Sequence, residues 1–538
     1  MTLPLPPPIV ETFHFLERSD APRVGELLIA ALDVPRLPIQ FAAADALIRR
    51  PALHGHLELL ARLDRLPVEV VRLVHQAGTV LDAAFRQALG KGDSQTRQQA
   101  LHAVRLSEQY GQASTLLELL TRPALIELDD VAATLRYLVN RLYDWWQSSV
   151  DRPPDATAAN PVRMQFLLAL DQALGDLSRQ ARPDEVIDAV LILGDPGHPT
   201  VKRVLWNGPA EHRERAAQRL LDSRHPGILR LVAESLNQSY PHPKVFEAIR
   251  QRQDPEFVAA LLQSFARGRT HQRLEHLRQI EFLAWLEPPF ELLDNLPPAL
   301  QPALAGFVNA TRLPYEIKAG VQAWLLHNGT PQGKQAATDG LPLVDEEVIQ
   351  DAVREGLESD DAEVQAWATH QLREHAIPGA FALLVSRLDS PLGSVQDAAR
   401  EELAGFDAAR VLALAPGLTH DEARRAGQLL MKVDLQAPAT IRRALAHPSK
   451  QKRIKTAAAV QKLDLHATFT SAFVALTEDV DPILRRTGAE ALGTILQSEA
   501  YRALQKLLDD ASPRVRETAE AALGVWKHSG ELARSSLD

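Results

Sequence analysis

The chain of 538 residues contains no cysteine. Disulfides, thiol nucleophiles and Cys-ligated zinc are therefore excluded. Aromatic residues amount to only 5%, and β-branched residues never alternate with polar ones over a useful length, so strands are not expected. No stretch approaches the ~18 uncharged apolar residues of a membrane-spanning helix. The opening MTLPLPPPIVETFHFLERSD lacks both the basic n-region and the unbroken apolar run of a secretory signal. A cytoplasmic address is expected, with no membrane partner. There is also no G-x-G-x-x-G, P-loop, H-E-x-x-H, G-x-S-x-G or EF-hand pattern. His54 with His56 and His271 with His276 are close histidine pairs, and neither has a third ligand at metal spacing. No metal, no cofactor and no catalytic residue are expected.

What the chain does contain is helix-forming material. Ala, Leu, Glu, Gln and Arg dominate, and unbranched side chains lose little rotamer freedom in a helix. Length alone suggests several domains, unless the chain is a repeat array that grows without closing one core. The stretch SPRVRETAEAALG, 512–524, decides the matter. Taking Arg516 as reference, an Arg or Gln recurs at Arg485, Arg453, Arg424, Gln396 and Gln365, in steps of 31, 32, 29, 28 and 31 residues. Three positions later stands a small residue each time: Ala519, Gly488, Thr456, Gly427, Ala399, Ala368. Seven positions later stands an apolar one: Leu523, Leu492, Val460, Met431, Leu403, Leu372. Offsets of zero, three and seven share one helix face, so every copy presents the same stripe.

Each period holds two helices and two turns. Ser512-Pro513, Asp481-Pro482 and Ser390-Pro391 mark the turn before the second helix. Acids seven residues before the reference (Asp509, Glu478, Asp389, Glu358) are expected to pair with the Arg/Gln column. Weaker copies lie upstream at Gln40/Ala43/Leu47, Arg97/Ala100/Val104 and Arg213/Ala216/Leu220, with X-Pro helix starts at His198, His225, His242 and Asp254.

A helix, a turn ending in Asp/Ser-Pro and then VRETAEAALG resembles the HEAT and HEAT-like repeats, including the short form of phycobilisome-lyase-type proteins, over about residues 345–530. The resemblance implies an all-α, right-handed solenoid of antiparallel helix pairs, about ten to twelve of them. It also implies an extended concave face lined by the second helices.

Two stretches interrupt the pattern: SSVDRPPDATAANP, 148–161, and NGTPQGKQAATDGLPLV, 328–344. The expected organisation is an irregular helical-repeat region over 1–327 with a break at 148–161, a linker at 328–344 and a regular array over 345–538. Trp145-Trp146 beside Asp144 and Asp151 is similar in residue type alone to the aromatic and acidic residues of HEAT-like DNA glycosylases; the expected role is core and loop anchoring.

Charge is unevenly placed. Ten acids and one Arg fall in 339–363, including Asp345, Glu346, Glu347, Asp351 and Glu355. Seven cations and no acid fall in 435–463: Arg442, Arg443, Lys450, Lys452, Arg453, Lys455 and Lys462. Lys452, Lys455 and Lys462 share one helix face. Both segments are candidate binding surfaces. The basic one suits an acidic protein or a phosphate backbone, although no aromatic residues interleave with the lysines for base stacking. The resulting expectation is a non-catalytic scaffold or adaptor for another protein. The alternatives are a nucleic-acid-binding protein, conceivably a base-excision enzyme, and a chromophore lyase.

Overall fold

Local punctuation starts each rung. A proline at the first helical position lacks only an N–H that has no partner there, and Pro482 and Pro513 open the helices Pro482–Leu492 and Pro513–Ser535. Asp481 caps the first of these by accepting the Ile483 N–H at 2.8 Å. At Ser390-Pro391 the helix begins later, at Gly393, and the Ser390 hydroxyl accepts the Leu392 N–H at 3.2 Å. The computed structural model describes residues 7–19, 21, 23–150, 153–340 and 344–535, and all regular structure among them is helical. The chain divides into two compact units, Met1–Val321 and Gln322–Asp538.

In the second unit helix pairs follow one another: Glu346–Leu357 with Ala362–Glu374, Ala380–Arg387 with Gly393–Glu402, Ala408–Leu414 with His420–Val433. Ala437–Leu445 with Lys450–Lys462, Thr470–Leu476 with Pro482–Leu492, and Ser498–Lys506 with Pro513–Ser535 complete the series. Each second helix packs on the second helix of the next pair, so the core is renewed at every layer. The predicted stripe fills these layers: Leu372, Val460 and Leu492 are fully buried, and Leu403 nearly so.

The small residue at offset three lets neighbouring backbone approach closely. A methyl built on Gly427 would lie 2.2 Å from the carbonyl oxygen of Leu463, at the end of the next pair's second helix. At Gly488 it would lie 3.0 Å from the Phe473 carbonyl oxygen. Ala368, Ala399 and Ala519 are completely buried.

The Arg/Gln column closes the turn inside its own pair. Gln365 and Gln396 donate their amides to the carbonyls of Ser359 and Ser390, both at 2.6 Å. Arg453 and Arg485 donate to the carbonyls of His447 and Asp479, both at 2.9 Å, and Arg516 donates to Asp510. In every case the acceptor lies six residues earlier. Arg424 departs from the pattern: it is exposed and lies 3.7 Å from Asp464.

The expected acidic partners are corrected by one residue and one layer. Arg453 pairs with Asp479 at 2.9 Å and Arg485 with Asp510 at 2.7 Å, each acid sitting in the turn of the following pair. Glu478 and Asp509 stand one position too early to combine that pairing with a turn. Asp479 and Asp510 also accept the N–H groups of Asp481 and Ser512, which orients their carboxylates. Asp389 pairs instead with Lys432 at 2.6 Å.

The stretch expected as a linker contains the helix Pro331–Gly340. Gly329 and Pro331 are helix punctuation: a Cβ on Gly329 would meet the Leu325 carbonyl oxygen at 2.3 Å, and Thr330 accepts the Gly333 N–H at 3.2 Å, while 341–343 lie outside the described residues. Lys334 is buried and donates to the Leu326 and His327 carbonyls. The break at 148–161 likewise falls on the end of helix Leu128–Val150 and the start of Pro153–Gly175, with Asp151 and Arg152 outside the described residues.

The first unit repeats the same devices less regularly. Arg97 donates to the Gly92 carbonyl at 2.7 Å and pairs with the buried Glu127 at 2.9 Å. His198, His225 and His242 cap the helices begun by the prolines after them, each accepting the N–H two residues on through Nδ1. That fixes Nδ1 as the unprotonated nitrogen. Burial lowers all three pKa values.

Two predictions follow from the layer contacts. Gly→Ala inside an open helix stabilises by about 0.5–1 kcal/mol, and Gly524→Ala, with nothing near its Cβ position, should raise the unfolding midpoint. Gly427→Ala should lower it, because the new methyl collides with backbone. Denaturation midpoints of opposite sign are expected, and a stabilised Gly427→Ala would refute the tight contact.

Arg485→Gln keeps the reach to its own turn but loses the Asp510 pair, at a cost of about 1.5–3 kcal/mol at neutral pH. The hydrogen bond from Arg485 is the main reason the Asp510 pKa is lowered. A depressed carboxylate contributes stability above its unfolded pKa, near 3.9, and loses it as pH falls through the folded value. The gap between parent and variant midpoints should therefore be full at pH 7 and shrink as pH falls below about 4. A gap independent of pH would show that the pair contributes nothing.

Candidate functional site

The seven basic residues separate into two groups. Arg442 and Arg443 lie on helix Ala437–Leu445, and the other five on Lys450–Lys462. Four are engaged within the fold. Arg453 is the column residue already paired with Asp479, and Lys450 pairs with Asp481, whose pKa it lowers. Lys462 donates to the Pro416 carbonyl at 2.8 Å, and the Arg442 guanidinium lies 5.8 Å from the centre of the Phe469 ring. Arg443, Lys452 and Lys455 are exposed, and no carboxylate among the described residues lies within ion-pair distance of them. Lys452 has the His447 Nε2 at 3.5 Å, and Arg443 donates a long 3.4 Å bond to its own helix at Ala439. The face predicted from spacing thus keeps Lys452 and Lys455, while Lys462 turns to a carbonyl.

The acidic segment opens helix Glu346–Leu357, with Asp345 at the N-cap and Glu346 and Glu347 in the first turn, where the helix dipole favours negative charge. Glu346 meets His375 at 2.9 Å, Asp351 meets Arg354 at 2.6 Å, and Glu355 meets His327 at 2.9 Å. Among these contacts only Asp351 meets a permanent cation, and the segment lies on a different pair from the basic residues.

In the first unit the two tryptophans take different roles. Trp146 is held between the guanidinium groups of Arg163, 3.7 Å from the ring centre, and Arg230 at 4.6 Å. Both arginines are buried and both pair with Asp195. Trp145 stacks on Tyr110, with centroids 6.0 Å apart and planes 17° from parallel, and lines a cleft of about 510 Å³. There Glu108 accepts from Tyr110 Oη at 3.1 Å and pairs with Arg141 at 2.7 Å. Burial, more than the adjacent Glu108, pushes the Tyr110 phenol well above its usual range, so it stays protonated. A paired carboxylate and a protonated phenol suit stacking rather than proton transfer. Arg141 was reachable from sequence, four residues before Trp145 on the same helix face, but Tyr110 and Glu108 come from a preceding turn that no local pattern links to it.

One histidine of each pair is occupied by a carbonyl: His56 Nε2 lies 3.0 Å from the Leu47 oxygen and His276 Nδ1 3.0 Å from that of Leu236. No group of three or more potential metal ligands occurs among the described residues. Among those residues no helix is long and apolar enough to cross a membrane.

These features define an all-helical repeat protein with layered helix pairs. Residues 437–524 match the family model of HEAT repeats. No curated protein matches the chain. Among solved structures it is similar to an engineered protein, at 15% identity over 94% of this chain and 98% of that one, with a TM-score of 0.18. It is also similar to Kap95p in complex with RanGDP, at 11% identity over 96% and 86% of the two chains, with a TM-score of 0.29. Kap121p bound to Nup53p gives 11% identity over 96% and 69%, with a TM-score of 0.26. At such identities and scores the likeness does not extend to function.

Proposed function

We propose that the chain is a non-catalytic cytoplasmic scaffold that holds another protein on its repeat surfaces. Its second unit docks an acidic partner surface through Arg443, Lys452 and Lys455. One observation carries the reading: within a run of seven cations, the fold engages four and leaves these three exposed without an acid. Exposed ion pairs stabilise little, so the fold gains nothing from keeping this cluster. Unscreened charge instead speeds encounter with an oppositely charged partner and orients it.

The test reverses all three residues to Glu and compares association with an immobilised polyglutamate surface and with duplex DNA. The melting temperature should stay within about 1 °C of the parent, since surface changes usually cost less than ~0.5 kcal/mol. Association with polyglutamate should slow about tenfold or more at low salt, and the difference should vanish as salt shortens the Debye length to about 3 Å near 1 M. An unchanged rate at low salt would dismiss the patch. Salt-sensitive retention of the parent on DNA without binding to polyglutamate would move the reading to nucleic acid.

A further inference from the structure

In the first unit the short helix Pro199–Lys202 runs into a π-helical turn, Arg203–Asn207. Such turns are rare and are frequent at functional sites. Here Val204 and Leu205 stay buried while Trp206, next in line, is 42% exposed. The indole is buttressed by the His242 ring, 4.7 Å away and at 65°. His242 is itself fixed, because its Nδ1 accepts the Lys244 N–H at 3.2 Å as a helix cap. The same turn presents Tyr240, 87% exposed. Trp206 and Tyr240 contribute to one cleft of about 450 Å³ that is also walled by Pro196 and Pro241. That is the size range of small-ligand and peptide pockets.

The chemistry of the lining narrows the occupant. Lys202 is the one charged side chain in the lining, and Gln238 contributes an amide. A phosphate would call for several converging cations, and a cationic ligand would call for acids, which this lining lacks. An amphipathic helix needs a long apolar trough rather than two aromatic faces beside a primary amide. A polyproline II segment fits what is present. Its pyrrolidine rings pack on aromatic faces, its carbonyls have no internal donors and accept from groups such as the Gln238 amide, and it is ordered before it binds.

We propose that this cleft binds a proline-rich peptide segment in the polyproline II conformation, with an acidic residue flanking the prolines opposite Lys202. The site is independent of the cations in the second unit, and either reading can fail alone.

The experiment measures fluorescence anisotropy of a labelled synthetic oligoproline peptide carrying one glutamate at its flank, titrated with the full chain. Saturable binding is expected, weakened about tenfold or more by Trp206→Ala, as for an aromatic anchor. Tyr240→Ala should weaken it comparably, and because that ring is almost wholly in solvent its loss leaves the melt unchanged. Lys202→Glu should weaken the glutamate-flanked peptide and leave an uncharged oligoproline as it was. Reversal of Arg443, Lys452 and Lys455 should not alter peptide binding. Equal binding of a peptide with alanine for every proline would overturn the proposal, as would unchanged affinity in both aromatic variants. Absence of saturation at millimolar protein would overturn it too.

Discussion

The second unit depends on one recurring hydrogen bond: in five of its six second helices a long polar side chain, one turn in, donates to the carbonyl six residues behind it. A turn between two short helices leaves carbonyls without intrahelical donors, and water would compete for them at every layer. The Arg/Gln residue supplies the missing donor from inside the pair, which sets the angle at which the second helix leaves the turn. Beside this bond Ala368 and Ala399 are completely buried, and Gly488 comes close to the backbone of Phe473 and Thr477. Arginine extends the same bond. Its second nitrogen reaches the carboxylate of the next turn, so that Arg453, Asp479, Arg485, Asp510 and Arg516 form an alternating line of side-chain and carbonyl contacts.

That line explains why cations near the turns are poor guides to function. Arg453 and Lys450 are neutralised by acids some 26 to 31 residues later in the chain, a pairing no local window contains. Charge that the fold has already used offers no field to a partner. The cations that remain stand on the solvent side of their helices, and it is their lack of acids, not their number, that marks them out. The first unit follows the same division: Trp146 is locked between two buried arginines, while Trp145 and Trp206 line clefts open to solvent.

Much of this was legible in the sequence, because a solenoid's contacts are local and repeat with its period. Offsets of three and seven located Gly427 and Leu492 correctly in the interlayer, and X-Pro dipeptides located the turns. The partner acids were misplaced by one residue, since only the acid that also closes an Asx turn points back along the stack. The glycines and prolines of 328–344 read as a loop because Gly329 and Pro331 end one helix and begin the next, and such punctuation looks the same whether the gap is long or short. The clefts were invisible. Tyr110 stacks on Trp145 and Tyr240 shares a cleft with Trp206 across separate stretches of the chain, and neither juxtaposition has a spacing rule.

The column also changes character along the second unit. Gln365 and Gln396 are too short to leave their own turns. Where they stand, the neighbouring layer is reached by other residues: Arg387, which donates to Gln365 and to the Leu357 carbonyl, and Arg400, which donates to Gln396 and to the Lys432 carbonyl. Lys432 also reaches Asp389 as an ion pair in this part, and from Arg453 onward the column arginines themselves carry the charge between layers. Apolar packing gives little resistance to small sliding motions, whereas an arginine forked between a carbonyl and a carboxylate resists them in direction as well as distance. The ties between layers are therefore not uniform along the unit. Its early layers are joined mainly by donors that stand off the column, and its late layers by the column itself.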